Sequence, residues 1–73
     1  MEQASESARK RLSDNIKKAR HKVGLSQEDL AHEAGVNRSF VGQIERCLAN
    51  PSLEVMVKLA SALKIDVGDL LKR

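Results

Sequence analysis

Between Ser26 and Arg46 the chain carries two sets of helix start signals separated by a single glycine, and this limits its fold more than any other feature. Ser26 is a favoured N-cap, with Asp29 three residues on to complete a capping box, and Leu30, Ala31 and Ala34 recur at helical spacing. Gly35 supplies the left-handed backbone that ends such a helix. Asn37 is again an N-cap type, with Val41 and Ile44 behind it as an inward face and Val36 just ahead of it. The pattern predicts two short helices joined by a tight turn.

At about 100° per residue, Arg38, Ser39, Gly42, Gln43 and Arg46 fall on one outward stripe of the second of these helices. Arg can bridge O6 and N7 of guanine, Gln can bridge N6 and N7 of adenine, and a Ser hydroxyl meets either kind of edge. Gly42 in this stripe would let a helix backbone approach the bases, at a cost of roughly 1 kcal/mol in helix propensity. Spacing alone fits a solvated helix face equally well. Backbone N–H groups at the start of the first helix, at Gln27, and those just after Asn37 would suit phosphate, since both stand at the positive end of a helix dipole.

The rest of the chain reads as helix without strand, repeat or linker. A first helix is expected from about Ser7 to Val23, with Leu12, Ile16, Ala19 and Val23 on one face and residues 1–6 as a flexible N-terminus. Asn50-Pro51-Ser52 stops the chain and caps a helix from Leu53 to Leu63, and Asp66-Val67-Gly68-Asp69 starts a short fifth one carrying Leu70 and Leu71. With 73 residues, 41% of them hydrophobic and Phe40 the sole aromatic, one small aliphatic core is what the chain can bury. Residues 7–73 are accordingly expected to form a single domain.

Net charge is +3, too mild to identify a polyanionic partner, but Arg9, Lys10, Arg11, Lys17, Lys18, Arg20 and Lys22 crowd the first helix while Glu28, Asp29 and Glu33 make the second acidic. The basic cluster suits either solvent or phosphate. The polar N-terminus lacks the apolar core of a secretory signal, and Lys58 interrupts the longest apolar stretch, so a cytoplasmic protein without a membrane partner is expected. Cys47 has no disulfide partner, and His21 and His32 lack ligands at metal spacing. Neither cofactor, metal, small-molecule ligand nor catalytic residue is expected, and the chain is not read as an enzyme.

The runs Leu25–Gly35, Val36–Arg46, Asn50-Pro51-Ser52-Leu53-Glu54 and Leu59-Ala60-Ser61-Ala62-Leu63, in this order and at these separations, resemble the phage repressor and Cro type of helix-turn-helix, the Xre family. The resemblance covers about Leu12 to Leu71, and its last segments look most like the controller proteins of restriction-modification systems. It implies an all-α, compact five-helix lambda-repressor-like domain that binds double-stranded DNA as a transcriptional regulator. It further implies that Asn37, Arg38, Ser39 and Gln43 face bases, and that Gln27, joined by Ser26, Arg46 and Lys17, meets phosphate. Arg20 and Glu45 would pair between helices as in family members, which would make Arg20 mainly structural. The chain departs from the pattern at Cys47-Leu48-Ala49, where relatives often have Gly followed by basic residues. That departure puts the left-handed turn in question and leaves Leu48 as loop packing or partner surface.

In the Leu53–Leu63 helix, Leu53, Met56, Ala60 and Leu63 make a core stripe, while Val55, Leu59 and Ala62 extend the apolar arc past what one small core covers. With Val67 and Leu71 nearby, this edge is expected to carry a homodimer, because an isologous contact closes on itself. A dimer would act by occupying an operator, with Glu28 and Glu33 offering an acidic surface to RNA polymerase. The alternative is an antitoxin or other protein-interaction module on the same fold.

Overall fold

A computed structural model describes the backbone of residues 2–73, with side chains from residue 6 onward. Helix α1 runs over Glu2–Val23, α2 over Gln27–Ala34, α3 over Arg38–Glu45 and α4 over Leu53–Leu63, and a 3₁₀ turn covers Val67–Leu71. Among the described residues the fold is therefore all-α, with four α-helices rather than the five expected. The last segment stays 3₁₀ because it is five residues long with Gly68 inside it. Asp69 closes its start by accepting the Asp66 N–H at 3.2 Å.

Helix α1 begins ahead of the expected Ser7 start, since Glu2-Gln3-Ala4-Ser5-Glu6 contains no helix breaker. It packs against α3, α4 and the 3₁₀ turn, while α2 packs against α3 and α4. Leu12 and Ile16 from α1 meet Leu30, Ala31 and Ala34, Val41 and Ile44, Leu59, Ala60 and Leu63, and Leu70 in one buried cluster. Val23, expected on this face, is 42% exposed because α1 ends there and the chain turns away at Gly24.

The phase of α4 differs from the expectation. Leu59 is fully buried and Leu53 is 66% exposed. Leu59, Ala60 and Leu63 form the buried face, and Leu53 with Val57 stand on one flank of it while Val55 and Ala62 stand on the other. No helix among the described residues is long and apolar enough to cross a membrane.

The helices end alike. Gly24, Gly35, Cys47 and Lys64 each take a left-handed φ, between 61° and 75°. In each case the next residue donates to a carbonyl five positions back: Leu25 to Arg20, Val36 to Ala31, Leu48 to Gln43 and Ile65 to Ala60. These are Schellman closures, and at Cys47 and Lys64 they are made without glycine.

Candidate nucleic-acid interface

The capping box that opens α2 is complete. Ser26 Oγ accepts the Asp29 N–H at 2.9 Å, and Asp29 Oδ2 accepts the Ser26 N–H at 3.2 Å. That backbone N–H, with the Ser26 hydroxyl, holds the Asp29 carboxyl below its ordinary range. Asn37 caps α3 through Oδ1, which accepts the Ser39 N–H at 2.7 Å. That bond orients the side chain and leaves both amide N–H donors free of a partner among the described residues.

Arg38, Ser39, Gln43 and Arg46 are all exposed on α3. Gly42, placed with them by spacing, is buried. A methyl group there would lie 3.7 Å from Arg46 Nη1 and 3.8 Å from Gln27 Oε1, so these two side chains fold over the glycine. The outward stripe is thus four side chains with a covered position among them.

Behind the stripe, α3 is fastened to the other helices at Glu45. Arg20 Nε donates to Glu45 Oε2 at 2.8 Å and Arg20 Nη2 to Oε1 at 3.0 Å, a two-pronged pair. The side chains are 11% and 4% exposed, so this is a buried ion pair joining α1 to α3. Arg20 Nη1 also donates to the Leu25 carbonyl at 3.0 Å, and Gln27 Nε2 to Glu45 Oε1 at 2.9 Å. Burial acts to push the Glu45 carboxyl up, but the donors on Arg20 and Gln27, with the charges of Arg20 and Lys17, outweigh it and hold the group below its ordinary value. Gln27 is therefore committed on one side to Glu45. Any anion contact from it uses its remaining amide hydrogen or the helix N-terminal N–H groups. Lys17 is half-buried at the edge of the network, near enough for its charge to act on Glu45.

Three polar side chains make long-range bonds that escaped the sequence reading. Ser13, fully buried in α1, donates to the Glu45 backbone carbonyl at 2.6 Å. Asn15 Nδ2 donates to the carbonyls of Leu70 and Lys72 at 2.9 and 2.7 Å, tying the C-terminal segment to α1. Arg9 Nη1 donates to Asn50 Oδ1 at 3.3 Å. A signal existed only for Ser13, which shares a helix face with Ile16 and Arg20 at spacings of three and seven.

The turn after α3 persists despite the missing glycine, because Cys47 takes φ 63°. Leu48, 70% exposed, is not loop packing. Of the basic residues on α1, Lys10 is engaged with Asp14 at 2.9 Å, while Lys18 and Lys22 are exposed. Of the residues expected at a dimer edge, Leu59 is removed from any surface by its burial; Val55, Ala62 and Val67 are half-buried, and Leu71 is 41% exposed.

A capped pair of short helices, with one polar outward face and the opposite face locked to α1, is a helix-turn-helix domain. The chain belongs to the helix-turn-helix family whose model matches residues 16–70, and it is a DNA-binding regulator of the transcriptional type. It is 39% identical over 62 residues to the control protein C.SmaI of Serratia marcescens, covering 85% of this chain and 74% of that protein. With the transcriptional regulator SinR of Bacillus subtilis it shares 38% identity over 82% of this chain, which spans 55% of that protein. Among solved structures, the restriction-modification controller protein C.AhdI from Aeromonas hydrophila superposes with a TM-score of 0.82 at 40% identity, covering 85% of this chain and 94% of that one. The hypothetical transcription factor NHTF from Neisseria superposes with a TM-score of 0.87 at 35% identity, covering 89% of this chain and 75% of that one.

Proposed function

We propose that the chain regulates transcription as a homodimer on a two-fold symmetric operator, as a controller protein of the restriction-modification type. The exposed Arg38, Ser39, Gln43 and Arg46 on a helix whose back is locked at Glu45 carry this reading. Such a helix enters a major groove as a rigid element, with Arg38, Ser39 and Gln43 at base edges and Asn37 donating from the cap. Gln27, Ser26, Arg46 and Lys17 flank it as phosphate contacts, which position without specifying. The similarity to C.SmaI and C.AhdI supports the controller assignment.

The dimer forms over the α4 edge and the 3₁₀ turn, through Val55, Ala62, Val67 and Leu71, and sets two copies of α3 about 34 Å apart on one side of the duplex. Occupancy then blocks RNA polymerase, or contacts it through the exposed Glu28 and Glu33 of α2. Selection from a pool of randomised duplexes tests this reading. A consensus of two inverted half-sites one helical turn apart is expected. Recovery of no enriched sequence, or of one asymmetric half-site bound by a monomer, overturns it.

A further inference from the structure

The loop joining α3 to α4 runs from Arg46 to Ser52, and after Arg46 at its first position the stretch Cys47-Leu48-Ala49-Asn50-Pro51-Ser52 contains no basic residue. A duplex lying along α3 would run its backbone past this loop, and beyond Arg46 the loop offers that stretch of phosphate no positive charge. Helix α1 brings a cation to the same place. Arg9 reaches across to Asn50, and the Arg9 backbone carbonyl lies 3.9 Å from Cys47 Sγ, so this part of α1 rests on the loop at two points.

We infer that Arg9 is a further DNA phosphate contact, carried from α1 to the loop that follows α3. Guanidinium presents five N–H donors in a planar fork suited to phosphate. Asn50 takes one of them, and among the described residues no carboxylate lies within ion-pair distance of Arg9, whereas the neighbouring Lys10 is held by Asp14. The bond to Asn50 fixes the reach of a side chain that would otherwise sample many rotamers, which lowers the entropy lost when the remaining donors close on a phosphate oxygen. Arg9 thereby supplies from a second helix the charge that Cys47-Leu48-Ala49 lacks.

This inference rests on the DNA-binding reading above, and its test separates the two. Affinity is measured against salt concentration for the full chain and for Arg9→Gln, Arg9→Lys and Asn50→Ala, on the selected consensus duplex and on a scrambled duplex of equal length. Arg9→Gln is expected to weaken binding equally on both duplexes and to lower the slope of log affinity against log salt by about 0.9 per subunit. Arg9→Lys keeps the slope, as does Asn50→Ala, which retains the charge. In the unmodified chain the Arg9 Nε–H resonance is expected to shift when the consensus duplex is added, a readout independent of any variant. An unchanged slope in Arg9→Gln, or an unmoved Arg9 resonance in a saturated complex, overturns the inference and leaves the Arg9–Asn50 bond as a fastening within the protein. If the unmodified chain itself binds neither duplex, the parent reading fails instead.

Discussion

The Ser13 hydroxyl and the Glu45 carbonyl, thirty-two positions apart, meet at 2.6 Å at the point where α3 ends. Because Arg20 holds the carboxylate of the same glutamate, α1 grips Glu45 by both its main chain and its side chain. Two attachments from one rigid helix fix the rotation of α3 about its axis, and with it the direction of Arg38, Ser39 and Gln43. Ser13→Ala leaves a buried carbonyl without its donor and is expected to lower stability by about 1 to 3 kcal/mol in urea unfolding. Arg20→Ala leaves a buried carboxylate unpaired, with an expected loss of about 3 to 5 kcal/mol. A loss in Arg20→Ala no larger than that of an exposed Lys18→Ala would show that the pair contributes nothing.

Glu45 also imposes a pH dependence. Its folded-state pKa lies below the ordinary glutamate value of 4.5. A depressed carboxyl contributes stability that is fully present above the unfolded-state value and is lost as pH falls through the folded-state value. Thermal midpoints are therefore expected to fall as pH drops below about 4.5, part of the decline belonging to Glu45 and the rest to depressed surface carboxyls such as Asp14 and Asp69. Glu45→Gln should show a shallower decline over the same acid range. An identical decline in both would assign the effect to the surface groups alone.

Base readout and backbone contact are separable by choice of DNA. Arg38→Ala and Gln43→Ala are each expected to cost about 1 to 3 kcal/mol on the consensus duplex and much less on a scrambled one. Gln27→Ala should weaken both duplexes evenly, with some loss of stability because its amide also serves Glu45. Equal losses on both duplexes for Arg38→Ala would remove it from the base-reading set.

Two backbone positions offer gains in stability. Cys47 pays the steric penalty of a left-handed conformation that glycine avoids, so Cys47→Gly is expected to stabilise the fold by about 1 kcal/mol in chemical denaturation. Gly42→Ala should do the same, since its methyl group meets Arg46 and Gln27 only at ordinary contact distance while the helix gains about 1 kcal/mol of propensity. A destabilised Gly42→Ala would mean that Gln27 and Arg46 are packed more tightly over α3 than these distances indicate.

For the dimer, Val55→Lys with Leu71→Lys is the appropriate pair, because both side chains are at least partly exposed. Sedimentation should show a folded monomer with strongly reduced binding to the two-half-site duplex and nearly unchanged binding to a single half-site. A dimer surviving in this variant would move the interface to the opposite flank of α4, where Leu53 and Val57 are exposed.

The parts legible in the sequence are those governed by neighbours along the chain. Ser26, Gly35, Asn37 and Ser52 sit at the helix ends where local capping chemistry puts them. The phase of α4 was illegible because Leu53, Val55, Met56, Val57, Leu59, Ala60, Ala62 and Leu63 are apolar almost all the way round, so spacing does not choose which of them face inward. Asn15 is illegible for a different reason. A small polar side chain reads the same along the chain whether it meets water or a distant carbonyl, and only the fold supplies the carbonyls of Leu70 and Lys72. Ser13 carries a signal in its spacing from Ile16 and Arg20, but its partner, the Glu45 carbonyl, comes only with the fold. Gly42 was placed in the right stripe but at the wrong depth, since the side chains that cover it come from Gln27 and Arg46.

The bond from Asn15 to the Lys72 carbonyl spans fifty-seven positions, so nearly the whole chain is a closed circuit. Helix α1 buries its inner face only once the last turn has arrived, and α3 is aligned only once α1 is in place. A fragment holding just the two helices of the motif would have the caps and the side chains of a reader but no frame to aim them. Grafting α2 and α3 onto another scaffold therefore means carrying α1 and the 3₁₀ turn along with them.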